Sequence, residues 1–282
     1  MVNKIKIVTD STADLPAEFI EKNDITVIPL YVNFPDKTYQ DGVDLHPQQF
    51  YPLLEKAKDN LPKTSTPSIN DFLKTYQEIL QQGYDIISIH ISNGLSSTSS
   101  MAEAAARMLK GKIRIFDSKS ISLGIGLQVE SAVEMVKKNL SIDTILKKLT
   151  DIRRRTEVFF SVDTLEYLEK GGRIGKVAAL LGTILKIKPI VRVDNGIYVP
   201  LDKVRNQKQA IYKMVEHMVK MLGGEIPEHV AIAHGCAEES ALSLQKLVEE
   251  TFGIKITFFT ETGPVIGVHT GPGTLGIAFI YK

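Results

Sequence analysis

Cysteine is nearly absent from this chain of 282 residues, in which Cys236 is the only one. A single cysteine cannot form a disulfide within the chain, which excludes a small secreted domain held together by disulfides, and it disfavours a structural zinc site. A surplus of either charge is also missing, since the 34 Lys and Arg residues are nearly balanced by 33 Asp and Glu residues. Proteins that contact nucleic-acid phosphates usually carry a basic surplus, so we expect no nucleic-acid partner.

Long apolar segments are missing as well. The sequence contains no run of about 18 uncharged apolar residues, the length that a membrane-spanning helix needs. The first ten residues lack the apolar core of a signal peptide. The hydrophobic fraction of 43% and the charged fraction of 24% are ordinary for a globular protein. We therefore expect a cytoplasmic protein with no stable membrane insertion.

Strand-like and helix-like segments alternate along the first half of the chain. Lys4–Thr9, Ile25–Val32 and Tyr84–Ile91 have the compact apolar pattern of strands. One helical stripe holds the apolar residues Ile69, Phe72, Leu73, Tyr76, Ile79 and Leu80. This order predicts an α/β fold with two α/β domains, the first built on a mainly parallel sheet. We place the domains at residues 1–155 and 156–282.

The second half of the chain carries clear turn and helix signals. Asp194-Asn195-Gly196 between two β-branched segments predicts a hairpin. Helices are predicted at Gln207–Leu222 and Glu238–Phe252. Between these features and the first domain, Thr164–Leu185 is rich in loops with short helices.

Two segments rich in hydroxyl groups come before predicted helices, Lys63–Ser68 and Ser92–Ser100. Helix capping explains part of each: Ser68 has capping-box spacing to Asp71, and Ser99 or Ser100 fits the start of the next helix. Capping leaves the remaining hydroxyls unexplained. Because ligands bind at the carboxyl ends of strands in open α/β sheets, the two segments could converge on one oxygen-rich ligand.

The segment around His269 contains many glycines and prolines on both sides of an apolar stretch that we predict to be a strand. Such a composition is typical of a packed loop near a ligand. Gly271–Gly276 matches G-x-G-x-x-G by letter, but a strand follows it where a dinucleotide site needs a helix. The histidines have no metal-ligand spacing and no G-x-S-x-G elbow is present, so we expect no metal and no cofactor.

Five motifs in this order resemble the DegV family of bacterial fatty-acid-binding proteins, which includes the FakB subunits of fatty acid kinase. They are Thr9–Leu15, Thr64–Ser68, Leu95–Thr98, Leu165–Ile174 and Gly267–Gly273. The resemblance covers essentially the whole chain. It implies two α/β domains with one long-chain fatty acid held at or near their interface.

The resemblance also implies roles for particular residues. Thr64, Ser96 and His269 match the family's carboxylate-binding positions, with Ser65 and Ser97 as possible additional contacts. Many relatives have Leu-Ser-Gly-Thr where this chain has Leu95–Thr98, so either serine of that motif could hold the ligand. Arg173 and Arg205 match positions that face a kinase partner.

These residues predict that Thr64, Ser96 and His269 converge on one ligand oxygen, beside a narrow pocket lined by Ile, Leu, Val and Phe. The function that follows is a carrier, without catalytic activity alone, that presents a fatty-acid carboxylate to an ATP-dependent fatty acid kinase. The alternatives are an acyl- or phosphotransfer enzyme that uses Ser96 or Ser97 with His269, and a regulatory sensor. Arg173 could instead cap a helix, and Arg205 could pair with a surface acid.

Overall fold

The structure, a computed structural model, describes residues 4–57, 60–180 and 187–282. Within these residues the strands are β1 Ile5–Asp10, β2 Thr26–Ile28, β3 Tyr31–Asn33, β4 Thr38–Gln40, β5 Lys63–Ser65, β6 Asp85–His90, β7 Ile113–Asp117, β8 Thr156–Ser161, β9 Lys188–Asp194, β10 Ile197–Val204, β11 His229–His234, β12 Phe258–Glu261 and β13 Leu275–Ile280. The α-helices are α1 Ala17–Lys22, α2 Pro47–Ala57, α3 Ile69–Gln81, α4 Thr98–Arg107, α5 Leu123–Lys137, α6 Ile142–Arg154, α7 Glu166–Lys170, α8 Gln207–Leu222, α9 Glu238–Phe252 and α10 Pro264–Thr270. Short 3₁₀ helices lie at Ser11–Ala13 and Gly175–Leu180.

A parallel four-stranded sheet organises the first part of the chain, in the order β2-β1-β6-β7. Its central strands are almost entirely buried, as expected for a parallel sheet that helices cover on both faces. Helix α3 begins with the predicted capping box, in which Ser68 and Asp71 exchange side-chain-to-backbone hydrogen bonds. The mixed α/β class and the mainly parallel first sheet are therefore confirmed.

A six-stranded sheet follows, in the order β10-β9-β8-β13-β11-β12. All of its neighbours run antiparallel except β11 and β12, and the predicted hairpin joins β9 to β10. Every strand of this sheet comes from residue 156 or later, while the four-stranded sheet ends at β7. The domain boundary at 155 remains a prediction that this order of strands supports.

Helix α5 lies between the two larger sheets, because it packs against β1 and β6 on one side and against β8, β11 and β13 on the other. It is buried nearly all round, including Leu127 and Val129. One apolar core therefore runs from the first sheet through α5 to the second. A helix that is buried on most of its surface is what such a central position requires.

A third, antiparallel sheet of three strands, β4-β3-β5, lies beside helix α10. Its presence corrects one prediction, since Ile25–Val32 is two strands in different sheets rather than one. Pro29 stands between them, and proline cannot donate the backbone hydrogen bond that a continuous central strand needs. The Lys63–Ser68 segment, predicted as a loop, supplies β5 to this sheet.

The apolar stretch around His269 is helix α10 and not the predicted strand. Gly263 and Pro264 begin this helix, and proline is favoured at a first helical position because its missing N–H would be unpaired there. The serine that precedes α4 is Ser97, which makes no side-chain cap bond, so the prediction of Ser99 or Ser100 as the cap is also wrong. Of the loop-rich stretch, residues 181–185 lie outside the described residues.

Candidate functional site

Thr64 and His269 come together across the fold. Strand β5 carries Thr64 and helix α10 carries His269, and these two elements pack against each other. The Thr64 hydroxyl oxygen lies 2.8 Å from Nε2 of His269, a hydrogen-bond distance. A sheet edge and a helix therefore hold a hydroxyl and an imidazole in a fixed mutual position.

The imidazole of His269 is neutral in this setting. Burial, and secondarily the positive charge of Arg173, lower the pKa of His269 from 6.5 to about 3. Its Nδ1 atom is buried and has no hydrogen-bond partner among the described residues. With the proton on Nε2, the ring donates to Thr64 and leaves the hydroxyl hydrogen of Thr64 to donate to a ligand oxygen.

Gly171 explains how the ring fits. A Cβ atom at Gly171 would lie 2.3 Å from Nδ1 of His269, far inside van der Waals contact. Gly171 follows α7, which packs against α10. The absence of a side chain at Gly171 therefore provides room for the imidazole.

The serines of the second hydroxyl-rich segment have different surroundings. Ser96 is half-buried, and its hydroxyl lies 2.8 Å from the hydroxyl of Thr98. Ser97 is exposed. Ser65, the neighbour of Thr64, is exposed and accepts a hydrogen bond of 3.1 Å from Asn33. Within the described residues, hydrogen bonds connect Thr64 to His269 but not Ser96 to either of them.

Arg173 connects the serine segment to the histidine. Its guanidinium donates to the carbonyl of Gly171 at 2.8 Å and to the carbonyl of Leu95 at 3.4 Å. Gly171 ends α7, so the expected alternative of a helix-capping arginine agrees with this geometry. Arg205 is exposed, and the described part of the chain shows no ion pair between it and an acid.

An apolar cavity lies next to helix α10, between the loop that precedes α5 and the face of the six-stranded sheet. Its volume is about 30 Å³. Its lining residues are Ile121, Ser122, Leu123, Val158, Phe160, Tyr198, Ala231, Ala233, Thr262, Ile266, Thr270, Thr274, Gly276, Ile277 and Ala278. The cavity is narrow and mostly apolar.

Helix α10 and Arg173 relate the cavity to the polar pair. Ile266 and Thr270 of α10 line the cavity, and His269 lies on the same helix. The charge of Arg173 acts on the pKa of both His269 and Tyr198, which places this guanidinium close to both. A ligand with a polar head and an apolar tail could therefore place its head near His269 and its tail in the cavity.

Several of these cavity residues, including Tyr198 and the threonines, were not predicted from the sequence. The clearest signal was the small-residue alternation of Ala231 and Ala233 on β11, which leaves space on one face of the sheet. Small side chains at alternate strand positions share a face. Their partner, the loop before α5, is far away in sequence, so the space between them was not predictable.

A second histidine network is present but is closed to solvent. Asp10 accepts a hydrogen bond from His90, whose other nitrogen lies 2.7 Å from the hydroxyl of Ser88, and Tyr76 donates to that serine. Asp10, His90 and Ser88 are fully buried. A substrate cannot reach this serine, so the network stabilises the first sheet instead of forming a hydrolase site.

Neither a metal centre nor a membrane anchor is evident in residues 4–57, 60–180 and 187–282. No group of three or more His, Cys, Asp and Glu side chains there could hold a metal ion. None of the helices in that part of the chain is both long and apolar enough to span a bilayer.

Known proteins resemble this chain along its full length. The family model described as "Uncharacterised protein, DegV family" matches residues 4–282. A DegV domain-containing protein of Clostridium acetobutylicum is 40% identical over 283 residues, which cover 99% of each chain. The solved structure of a DegV family protein from Thermus thermophilus, described by its fatty acid binding, has a TM-score of 0.93 and 33% identity and covers 99% of this chain and 100% of that one.

A protein from Eubacterium ventriosum that is described as binding stearic acid gives the same TM-score, 0.93, at 30% identity, and the match covers 99% of this chain and 98% of that one. The family model and the identity to the clostridial relative both extend over nearly every residue. The chain belongs to the DegV family.

Proposed function

We propose that this protein binds a long-chain fatty acid, with the carboxylate at Thr64 and His269 and the tail in the apolar cavity. The observation that carries the proposal is the hydrogen-bonded Thr64–His269 pair, whose histidine lies on the helix that also lines that cavity. Family relatives that are described as binding fatty acids support it. Ser96 approaches the same carboxylate in this proposal, with Ser65 and Ser97 as outer contacts.

The tail supplies most of the binding free energy. Each buried methylene contributes about 0.8 kcal/mol, so about fourteen methylenes give roughly 11 kcal/mol before the losses of translational and chain entropy. The space in the cavity is narrow, so its side chains must move apart as the tail enters. The Thr64–His269 pair then binds the carboxylate, and this contact fixes the orientation of the fatty acid and how far its tail enters the cavity.

The chemistry of the head group suits a carboxylate that must react afterwards. With the proton of His269 on Nε2, Thr64 can donate to the ligand, and a hydroxyl holds a carboxylate oxygen less strongly than a bidentate arginine would. The guanidinium of Arg173 donates to the carbonyls of Gly171 and Leu95. One carboxylate oxygen therefore stays available to a second protein.

That second protein is an ATP-dependent fatty acid kinase in our proposal. The free carboxylate oxygen forms a bond to the γ-phosphorus of ATP, the bond from this phosphorus to the bridging oxygen of ADP breaks, and the acyl-phosphate and ADP are the products. This chain acts in the cytoplasm as the carrier and not as the catalyst. Arg173 and Arg205 lie on the docking surface in this proposal.

An acyl- or phosphotransfer enzyme that uses Ser96 or Ser97 with His269 has less support. A general base works best with a pKa near the working pH, whereas the pKa of His269 is about 3. The hydroxyl of Ser96 is bonded to Thr98, and the described residues include no bond from either serine to the histidine.

Mass spectrometry of lipid extracted from the purified protein tests the proposal. We expect one equivalent of a long-chain fatty acid per chain. A second arm incubates the protein with ATP and fatty acid, first alone and then with a fatty acid kinase. Acyl-phosphate should form only with the kinase. Protein that neither contains nor takes up fatty acid would contradict the binding function, and turnover by the chain alone would favour the enzyme.

A further inference from the structure

Two buried carboxyl groups meet at the start of helix α10, outside the head-group site. Asp14 follows the 3₁₀ helix after β1 with a φ of 49°, and its side chain is buried. Asp41 follows β4 and is also buried. A Cβ atom at Gly263 would lie 3.1 Å from Oδ1 of both aspartates. Gly263 is the residue immediately before α10, so both carboxyl groups approach the beginning of this helix.

Each carboxyl group connects α10 to the first part of the chain. Asp14 accepts the N–H of Gly263 at 2.9 Å and the hydroxyl of Ser122 at 2.5 Å. Asp41 accepts the N–H of Val265 and the hydroxyl of Ser11. Ser122 lines the apolar cavity, so the same pair touches both the cavity wall and the helix of His269.

The surroundings of the pair favour its neutral form. Oδ2 of Asp41 is buried and has no hydrogen-bond partner in the described residues. Neither aspartate takes part in an ion pair within that same part of the chain. Burial raises the pKa of Asp14 to about 8 and that of Asp41 to about 7, and the nearby negative charges add to this effect. The other titratable groups that face the pair are Asp10, His46, Tyr51 and Glu261.

We propose that Asp14 and Asp41 are positioning residues that hold helix α10, and through it His269, in place for as long as the pair keeps a proton. The link to ligand binding rests on the proposed function of the Thr64–His269 pair. The positioning of helix α10 by the two aspartates does not depend on that proposed function.

Loss of that proton should loosen the helix. Two adjacent buried carboxylates repel each other, and an ionised oxygen without a partner is costly in an apolar setting. A cleft of about 370 Å³ opens beside the pair, lined by Leu15, Pro16, Val43 and Pro47 among others. A carboxylate that turns into this cleft gains water and releases an N–H of Gly263 or Val265. The first turn of α10 then loses its contacts, and a bound fatty acid dissociates faster.

The pH profile of ligand dissociation tests the proposal. Stopped-flow release of a fluorescent long-chain fatty acid is followed from about pH 6 to about pH 9.5. The ratio of ionised to neutral carboxyl rises tenfold with each pH unit. The rate of ligand dissociation from the wild type should therefore rise at least about threefold above pH 8. Asp14→Asn and Asp41→Asn retain a neutral side chain, and asparagine tolerates the positive φ at position 14. The double variant should release ligand at a rate that hardly changes with pH, because neither side chain can then ionise.

Two matched variants control for the neighbourhood. Asp44→Asn alters an exposed aspartate next to the same loop, and His46→Gln removes the histidine that lines the cleft. Both should keep the wild-type profile. His269 does not titrate in this pH range, because its pKa is about 3. A double variant that keeps the wild-type rise would overturn the proposal.

A readout without ligand separates this inference from the proposed function. Carbon-13 NMR of the aspartate carboxyls should show Asp14 and Asp41 titrating near neutral pH, and hydrogen exchange at Gly263 and Val265 should accelerate as they ionise, beyond the intrinsic effect of pH. These measurements hold even if the protein binds no fatty acid, and the NMR titration needs no variant that could fail to fold. Titration of both carboxyls near the ordinary value of about 4 would overturn the proposal.

Discussion

Thr64 and His269 are separated by 205 positions in the sequence and by 2.8 Å in space. With its proton on Nε2, the imidazole donates to Thr64, and the threonine hydroxyl can donate to a ligand oxygen. Burial, with the charge of Arg173, keeps the imidazole neutral. Single substitutions should therefore distinguish the contributions that the hydroxyl, the imidazole and their surroundings make to binding and stability.

Thr64→Val should weaken fatty-acid binding without unfolding the protein. Valine has nearly the same shape as threonine and lacks the hydroxyl, so the carboxylate loses one hydrogen bond, which costs about 1 to 3 kcal/mol. Isothermal titration calorimetry should show a Kd raised about five- to 150-fold. The matched control is Thr38→Val, which makes the same change at an exposed position of β4 in the same sheet and should bind as the wild type does. Equal affinity of Thr64→Val and wild type would remove Thr64 from the site.

His269→Gln should make the stability of the protein less sensitive to acid. The unfolded histidine takes up a proton below about pH 6.5, while the folded one resists until about pH 3. Stability from this group is therefore present above 6.5 and is lost as the pH falls through that window. Between pH 7 and about pH 5 the wild type should lose about 2 kcal/mol more than the variant. Urea unfolding measures this difference, and parallel losses in both proteins would contradict a buried neutral imidazole.

At the scale of elements, the site depends on three short pieces: strand β5, helix α10 and the end of α7. The long periodic helices α8 and α9 were predictable to the residue, because their apolar stripes and left-handed glycine caps are local signals. Short elements were not. Pro264–Thr270 forms a helix because proline begins it and because it is buried among α2, α7 and β5. That packing depends on tertiary structure and cannot be read from the local sequence.

The site was predictable as a set of residues but not as a geometry. The family motifs named Thr64, Ser96 and His269, and the structure brings Thr64 and His269 together. The bond from Ser96 to Thr98, the room that Gly171 leaves and the two arginine-to-carbonyl bonds all depend on loop conformation. A family resemblance shows which residue types recur at which positions, but it does not determine these contacts.

Gly171→Ala should damage the site through contact between α7 and α10. Its backbone does not require glycine, with a φ of −76°, but the added methyl group would lie 2.3 Å from Nδ1 of His269. We expect the imidazole to be displaced, fatty-acid affinity to fall at least about tenfold, and stability to fall by about 1 to 3 kcal/mol. Glu169→Ala changes an exposed residue of the same helix and serves as the control. Unchanged affinity of Gly171→Ala would mean that the position of His269 is unimportant for binding.

At the scale of the whole molecule, the cavity exists because two sheets share one helix. Helix α5 fills the space between them, and the loop before it forms one wall of the cavity while the six-stranded sheet forms the other. In the proposed function, an apolar tail lies between the two halves of the chain. The proposed carrier role also requires an outer surface that a kinase can recognise.

Arg205→Ala tests that surface more cleanly than Arg173→Ala. Arg205 is exposed and takes no part in the hydrogen bonds described at the site, whereas Arg173 contacts Gly171 and Leu95. Arg205→Ala should leave fatty-acid affinity unchanged and slow acyl-phosphate formation with the kinase, while Arg173→Ala should reduce both. The loss at Arg205 should shrink at high salt, since exposed charges steer association electrostatically. Full kinase activity of Arg205→Ala would remove this residue from the docking surface.

The most direct test of the account is a crystal structure of the protein with stearic acid. We expect one carboxylate oxygen at about 2.6 to 3.2 Å from the Thr64 hydroxyl, with the acyl chain in the cavity between the loop before α5 and the six-stranded sheet. Phe160 and Ile277 should line the chain. A carboxylate bound away from Thr64, or a fatty acid found only on the outer surface with the cavity still filled by side chains, would contradict it.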